Sequence, residues 1–294
     1  MACYHPLLAY KLDGKVTFNK PFVHAKGFNL PCGQCIGCRL EYSRQWAVRL
    51  VHEAQMHNNN SFITLTFDDE NLYQRDNPYS LDVGEFQKFM KRFRKGKGKN
   101  VRFFHCGEYG DKNKRPHYHA IIFGWDFPDK TLWSVRDGVQ LYVSEELQNL
   151  WPYGFSTIGE VTFQSCAYVA RYVMKKMKGE AAEDYYKTVD PHTGEVLDIK
   201  PEYCTMSRRP GIGAAWIEKY KNDVYPNDYV VINGKEVRPP RYYDNILSEE
   251  ELEQLKKKRQ ENKILIDRYD ENMDRLWVQE EVKMRKLEKL VRNL

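Results

Sequence analysis

The stretch that most restricts how this chain can fold covers residues 103–124 and reads FFHCGEYGDKNKRPHYHAIIFG. Its two ends are rich in aromatic and β-branched residues, which favour strands, and residues 110–116 between them form a polar turn. The pattern predicts a β-hairpin. Because side chains alternate between the two faces of a strand, His117 and His119 lie on the same face.

Folding this hairpin back on itself brings Glu108 beside His117 and His119. Two imidazoles and a carboxylate on one face, with coordination positions left open, suit a divalent cation that also binds a substrate oxygen. Two histidines with this spacing also occur as half-exposed strand residues that bind no metal. The pattern therefore needs a second chemical signal, which lies further along the chain.

That second signal is a predicted helix over residues 164–177, QSCAYVARYVMKKM. Tyr168 and Tyr172 are four residues apart and share one helix face, while Arg171 and Lys175 add positive charge to the helix. Two phenols on a helix are usually packing residues. Beside a metal-binding strand they become candidate nucleophiles, because a tyrosine oxygen can attack a polarised phosphate while Lys175 stabilises the developing charge. The attack would leave a 5′-phosphotyrosine and a free 3′-hydroxyl, a step that can run in reverse and rejoin ends.

Three cysteines in the segment PCGQCIGCR are separated by two residues each: Cys32, Cys35 and Cys38. This spacing lets successive thiolates surround one ion, and tetrahedral Zn²⁺ requires a fourth ligand. Cys3 is the preferred candidate because structural zinc sites favour sulfur, with His5 and His24 in reserve. An iron–sulfur cluster and three free thiols are the alternatives. A zinc site would staple residues 1–40, which have little core of their own.

Composition narrows the class of protein. The 294 residues carry a net charge of +5, and 14% are aromatic, including 20 tyrosines, which offers stacking surfaces for unpaired bases. No apolar run approaches the ~20 residues of a membrane span, so no membrane partner is expected. The sequence starts without a basic leader and an apolar core, and its cysteine count is odd, at seven. We therefore expect no signal peptide and reduced thiols.

Other elements are predicted from periodicity and caps. Residues 61–68 alternate as a central strand, and residues 81–93 have the apolar spacing of a helix. Residues 92–99, RFRKGKGK, are predicted to be a basic loop that meets solvent or phosphate. Ser144 is expected to cap a short helix, and from residue 248 onward a long charged helix carries an imperfect coiled-coil seam.

Three segments in this order, FITLTFDD, HYH and YVARYVMKK, resemble the ordered motifs of the HUH endonuclease superfamily. Within it, the segments PCGQCIGCR, MSRRPGIG and PPRYYD are similar to those of the replication initiators (Rep proteins) of microviruses, particularly the gokushovirus branch. The resemblance covers about residues 1–245 and leaves the final helix unmatched.

The expected fold class is α+β: a central antiparallel β-sheet flanked by helices (the HUH endonuclease fold), with an N-terminal Cys-rich zinc knuckle and a long C-terminal helix. The expected domains are a Cys-rich zinc-binding segment at residues 1–40, an HUH endonuclease core at 41–180, a C-terminal extension of the core at 181–245, and a charged long helix at 246–294. The last of these is also a candidate coiled coil.

By this resemblance the metal ligands are His117, His119 and Glu108. Tyr168 and Tyr172 become the nucleophiles. Relatives with a single tyrosine place a lysine three residues after it, a spacing matched by Tyr172 and Lys175, so a single initiating tyrosine would be Tyr172. The expected cofactors are Mg²⁺ or Mn²⁺ at the HUH site and Zn²⁺ at the cysteine knuckle.

The resemblance implies a viral replication initiation protein. Such an enzyme nicks single-stranded DNA at the origin, stays covalently linked to the 5′ end and rejoins the completed circle in rolling-circle replication. Expected partners are single-stranded and origin DNA and a host helicase, because no Walker loop is present to support an ATPase. The expected location is the cytoplasm of the host bacterium, and the C-terminal helix is a candidate for self-association.

Two alternatives stay open. In the first, the protein is a non-catalytic zinc-knuckle nucleic-acid-binding protein, in which HYH and the tyrosines are structural and no covalent adduct with DNA forms. In the second, it is an HUH transposase or relaxase, which fits His117 and Tyr168 but leaves the cysteine segment unexplained. Joining of a transposon end would favour that second alternative.

Overall fold

The computed structural model describes residues 3–97, 100–110, 113–136, 138–172, 181–190, 193–266 and 273–288. The side chains at positions 97, 136, 172, 181, 263–266, 273 and 288 also lie outside this description. The chain forms two compact units: residues 45–246, and residues 1–44 together with 247–294. Each unit is treated separately below.

The described strands, in chain order, are β1 (Leu7–Leu12), β2 (Lys15–Thr17), β3 (Phe28–Leu30), β4 (Asn60–Leu65), β5 (Arg102–Tyr109), β6 (Pro116–Phe123), β7 (Thr131–Arg136), β8 (Val139–Val143), β9 (Ser156–Gly159), β10 (Lys187–Val189), β11 (Val196–Asp198), β12 (Tyr203–Met206), β13 (Val230–Ile232) and β14 (Lys235–Val237). The described helices are α1 (Ile36–Ala54), α2 (Asp69–Tyr73), α3 (Val83–Lys97), α4 (Glu145–Leu150), α5 (Phe163–Tyr172), α6 (Ala181–Tyr185), α7 (Ala214–Val224), a 3₁₀ helix (Arg241–Ile246), α8 (Glu249–Ile266) and α9 (Met273–Glu288).

The unit of residues 45–246 is built on a seven-stranded antiparallel sheet with the order β12-β5-β6-β4-β9-β8-β7. The predicted α+β class and the central antiparallel sheet are confirmed. β4, the strand expected at the centre from its alternating sequence, occupies the middle of this order. The strongest pairing predicted from sequence, the β5–β6 hairpin, lies directly beside it.

Helices cover both faces of this sheet. On one face Phe62 and Ile121 belong to an apolar cluster with residues of α1 and α5. On the other face Ile63 and Ile122 belong to a cluster with the aromatic residues of α3. Adjacent residues of one strand thus enter different cores, as the two-residue period of a strand requires.

Local signals in the sequence set several element boundaries correctly. The Ser144 hydroxyl accepts a hydrogen bond from the backbone N–H of Leu147, which caps α4 as predicted. The expected basic loop at residues 92–99 is wrong over most of its length, because α3 continues to Lys97. A glycine inside a helix costs only about 1 kcal/mol relative to alanine, and the buried Phe89 and Phe93 hold this helix on the sheet.

The unit of residues 1–44 and 247–294 contains a three-stranded sheet with the order β2-β1-β3, the start of α1, and helices α8 and α9. The sequence did not predict these three strands. The predicted C-terminal helix is represented by α8 and α9, and the residues between them lie outside the description. In the described stretches of the chain, no helix is both long and apolar enough to cross a membrane.

Candidate active site

The candidate site lies on the face of the central sheet that carries Phe62 and Ile121. The register pairs Glu108 of β5 with His117 of β6, and His119 of β6 with Thr64 of β4. Because alternate residues of a strand share a face, His117 and His119 both project to the side of Ile121. The hairpin predicted from the sequence therefore brings the three expected ligands together.

These three residues, called the triad below, converge on a single carboxylate oxygen. Oε1 of Glu108 lies 2.7 Å from Nε2 of His117 and 2.8 Å from Nε2 of His119. One ligand atom from each residue lies within 4.8 Å of the others, an arrangement that can hold a metal ion. Glu108 and His119 are buried, whereas the His117 side chain is 18% exposed, so the site opens toward solvent at His117.

Hydrogen bonds on the far side of each imidazole fix the two rings. Nδ1 of His119 lies 2.9 Å from the Thr64 hydroxyl, and Nδ1 of His117 lies 3.2 Å from the backbone oxygen of Arg115. Phe62 stacks on the His119 ring at 5.6 Å. Partners on Nδ1 leave Nε2 available as a ligand. The sequence analysis assigned no role to Thr64, although it lies in the FITLTFDD motif on the same strand face as Phe62.

The charge state of the triad suits cation binding. Burial raises the pKa of the Glu108 carboxyl, but hydrogen bonds from His117 and His119 outweigh burial and hold that pKa below its ordinary range. The carboxylate therefore stays ionised at neutral pH. A buried anion with two neutral imidazoles is a ligand set that divalent cations bind in proteins.

Tyr168 of α5 reaches the triad. Its hydroxyl donates a hydrogen bond to Oε1 of Glu108 at 3.3 Å, and its ring lies edge-on to His119 at 5.3 Å. The Arg171 guanidinium lies 5.6 Å from the centre of the Tyr168 ring. The other two residues predicted from this helix, the Tyr172 side chain and Lys175, lie outside the described residues.

A second cluster lies in the unit that contains the N-terminus, where the four predicted cysteines come together: Cys3, Cys32, Cys35 and Cys38. Their sulfur atoms lie within 4.8 Å of one another and can hold a metal ion. The Cys3 and Cys35 sulfur atoms are 3.9 Å apart, close to the ~3.8 Å edge of a tetrahedron with Zn–S bonds of about 2.3 Å. The reserve ligand His5 instead contacts Glu280 at 2.6 Å, and His24 is exposed.

Backbone N–H groups point at these sulfur atoms. The amides of Cys32, Cys35 and Tyr4 donate to sulfur at 3.3 Å each. Burial raises the pKa of the Cys35 thiol, but hydrogen bonds from amides, including that of Tyr4, outweigh it and lower that pKa to about 7. Thiolate is the form of cysteine that binds metal. The cluster is thus chemically prepared for a cation.

Comparison with known proteins agrees with this geometry. The model of the replication-associated protein ORF2 family matches residues 60–177, which run from β4 past α5 and include the triad and Tyr168. The replication-associated protein VP4 of Bdellovibrio phage phiMH2K is 36% identical over 255 residues, which cover 83% of this chain and 76% of the phage protein. The chain belongs to this family of phage replication-associated proteins.

Two other members of the replication-associated family support the assignment. The replication-associated protein ORF2 of Spiroplasma virus 4 is 32% identical over 292 residues, covering 88% of this chain and 86% of the viral protein. The replication-associated protein ORF4 of Chlamydia phage 1 is 32% identical over 229 residues, covering 75% of this chain and 54% of that protein. No solved structure matches the chain. The resemblance to phage replication proteins is confirmed.

Proposed function

We propose that the chain initiates rolling-circle replication by nicking and rejoining single-stranded DNA at the origin, through a 5′-phosphotyrosine. The observation that carries the proposal is the position of the Tyr168 hydroxyl, 3.3 Å from the carboxylate oxygen on which both histidines converge. A nucleophile and a cation-binding triad within contact distance are the parts that phosphoryl transfer needs. Membership in a family of replication-associated proteins supplies the biological setting.

In the proposed step, Tyr168 forms the bond from its phenolic oxygen to phosphorus as the bond from phosphorus to the 3′ oxygen breaks. The phenol loses its proton, and the departing 3′ oxygen gains one. The Arg171 guanidinium near the Tyr168 ring stabilises the negative charge that collects around the phosphoryl group. In the reverse direction a 3′-hydroxyl attacks the phosphotyrosine, and the DNA strand is rejoined.

The triad residues would hold Mg²⁺ or Mn²⁺. When bound, such a cation polarises the scissile phosphate and neutralises charge on its oxygens. Thr64 and the Arg115 carbonyl keep Nε2 of His119 and His117 directed at the ligand position. Tyr172 retains its predicted role as the second nucleophile, and Lys175 its role in stabilising charge.

At the N-terminal side of the chain, we propose that the four-cysteine cluster binds a structural Zn²⁺. Sulfur ligands at near-tetrahedral separation and amide donors directed at them support this choice. The proposed partners are single-stranded and origin DNA and a host helicase, in the cytoplasm of the host bacterium. α8 and α9 are proposed to mediate self-association, since α9 exposes Trp277, Val278 and Val282.

The decisive experiment is trapping of a covalent adduct. Purified protein is incubated with Mn²⁺ and single-stranded oligonucleotides that tile the viral strand, and the products are separated on a denaturing gel. The wild type should give a shifted protein–DNA band that is lost in His117→Ala and in the double variant Tyr168→Phe/Tyr172→Phe. Tyr73→Phe, a change at a half-exposed tyrosine away from the triad, is the matched control and should retain the band.

The single variants separate the two tyrosines. Loss of the band in Tyr168→Phe alone assigns the first attack to Tyr168, whereas loss in Tyr172→Phe alone assigns it to the tyrosine that the Lys175 spacing favours. If no variant or wild type gives an adduct on DNA that the protein binds, the protein is a zinc-knuckle nucleic-acid-binding protein. Joining of transposon ends in place of a circle would identify a transposase or relaxase.

A further inference from the structure

A pair of exposed aromatic rings lies on the central sheet without serving its core. Trp133 of β7 and Phe155, directly before β9, are 47% and 44% exposed. Their ring centroids are 4.8 Å apart, with the planes inclined by 59°. Neither ring belongs to the apolar clusters on the two faces of the sheet. Burial of core surface therefore does not explain this Trp133–Phe155 pair.

The register of the sheet relates this pair to the triad. Leu65 of β4 is paired with Tyr118 on one side and with Ser156 on the other. One residue further along β4, Thr66 comes between His117 and Phe155, and both its amide and its hydroxyl donate to the Phe155 carbonyl, at 3.0 and 2.7 Å. Phe155 thus continues the row that contains His117.

The pair also lies on the triad's face of the sheet. Thr157 of β9 is paired with Thr64, whose hydroxyl contacts His119, and Phe155 is two residues before Thr157. Alternate residues share a face, so Phe155 projects to the side of His119. With strands about 4.8 Å apart, Phe155 lies two strands, or about 10 Å, from His117 along the row.

Within the bulge of β7, the Trp133 position is built rather than incidental. The β7–β8 register shifts between Leu132 and Ser134, which frees Trp133 from strict alternation and allows its ring to reach Phe155. Exposed tryptophan and phenylalanine rings offer π faces on which any base can stack, and such stacking is tolerant of sequence. An extended single strand with its phosphate at the triad passes within reach of these rings.

We propose that the Trp133–Phe155 pair is a stacking platform for unpaired bases of the DNA strand that is cut at the triad. The proposal rests on the proposed function for its choice of ligand and adds residues that position the strand. The platform holds bases next to the scissile phosphate, so it fixes which phosphate faces Tyr168. Double-stranded DNA, with its bases already stacked, gains nothing from it.

The test compares a strand that has bases with one that lacks them. Affinities of the full-length protein are measured for an oligodeoxythymidine and for an abasic deoxyribose-phosphate oligomer of equal length. The wild type should prefer the strand with bases, and Trp133→Leu and Phe155→Leu should each reduce that preference by about tenfold. Trp133→Phe, which keeps a ring, should retain most of it. Val135→Ala, at an exposed residue of the same strand, is the matched control and should leave the preference unchanged.

The outcomes separate this proposal from the proposed function. If Trp133→Leu and Phe155→Leu keep the full preference, or if the wild type shows none, the platform is refuted, even where the covalent adduct forms normally. If the preference falls as expected but no adduct forms with any Mn²⁺ concentration, the nicking activity is refuted and the platform stands. Thermal unfolding of each variant, compared with the wild type, identifies any loss that comes from misfolding.

Discussion

The Thr64 hydroxyl lies 2.9 Å from Nδ1 of His119. When Nε2 of this histidine binds a cation, Nδ1 carries the proton and donates it to Thr64, which fixes both the tautomer and the ring orientation. A strand residue that never touches the cation thus controls how well a ligand is presented. The same geometry recurs elsewhere in the sheet, which makes this relationship testable.

Thr64→Val removes the hydroxyl and keeps the shape of the side chain. We expect the affinity for Mn²⁺ to fall by about 10- to 100-fold, because His119 loses the partner that orients it. Isothermal titration with Mn²⁺ measures the change. An unchanged affinity would show that burial of His119 alone orients the ring.

The matched control is Thr205→Val. The Thr205 hydroxyl lies 2.9 Å from Nδ1 of His105, a pair of the same type on the α3 face of the sheet. We expect this variant to lose about 1 kcal/mol of unfolding free energy and to bind Mn²⁺ as the wild type does. The comparison separates the effect of the hydrogen bond on stability from its effect on the ligand.

The cysteine cluster predicts the zinc content of the protein. Elemental analysis of the purified wild type should find one zinc per chain, and Cys3→Ser, Cys35→Ser and Cys38→Ser should each lose it, because a structural site needs all four ligands. Cys166→Ala, at a buried cysteine outside the cluster, is the control and should keep the metal. Retention of zinc in Cys3→Ser would transfer the fourth ligand to another residue.

The triad was predictable because its geometry is local. The polar turn at residues 110–116 joins two strands of alternating pattern, and its length sets the register that pairs Glu108 with His117. The one-face position of His117 and His119 follows from the two-residue period of a strand. The same reasoning predicted the cap at Ser144, since the capping hydroxyl and the amide it meets are three residues apart.

Contacts between distant segments were not predictable in this way. β12 pairs with β5 although many elements separate them in the chain, and the contact of Tyr168 with Glu108 depends on how α5 packs on the sheet. The basic stretch at residues 92–99 shows a different failure. Its glycines and charges indicated a loop, but Arg92 and Arg94 donate to the carbonyls of Leu150 and Val101, so tertiary contacts extend the helix through it.

Self-association through the C-terminal helices is a further prediction. Trp277 of α9 is 66% exposed, and Val278 and Val282 lie four residues apart on the same helix. If these side chains form a contact between copies, Trp277→Ser should raise the dissociation constant by tenfold or more, because buried tryptophans dominate such contacts. Sedimentation velocity over a range of concentrations measures it, with Lys286→Ser as the control. A wild type that stays monomeric at every concentration would refute the prediction.

Glu53 provides a prediction about pH. Its carboxylate accepts hydrogen bonds from the Arg102 guanidinium and, at 2.6 Å, from the Gly213 amide, and its side chain is only 4% exposed. Burial raises the pKa of this carboxyl, but the hydrogen bonds with His57 and Gly213 and the Arg102 charge outweigh it and lower that pKa below 4.5. Glu53→Gln leaves Arg102 without its counter-charge and should cost about 3–5 kcal/mol of unfolding free energy at neutral pH.

The sign of the pH dependence follows from that lowered pKa. Above pH 4.5 the carboxylate is ionised in both the folded and the unfolded chain, so its full contribution to stability is present. As the pH falls through the lower pKa of the folded state, Glu53 becomes protonated and the contribution is lost. The difference in unfolding free energy between wild type and Glu53→Gln, measured by urea denaturation, should therefore be constant from pH 7 to about pH 5 and shrink below it. Asp184→Asn, at an exposed ion pair with Lys187, should show no such difference, and a Glu53→Gln difference that grows in acid would contradict the assignment.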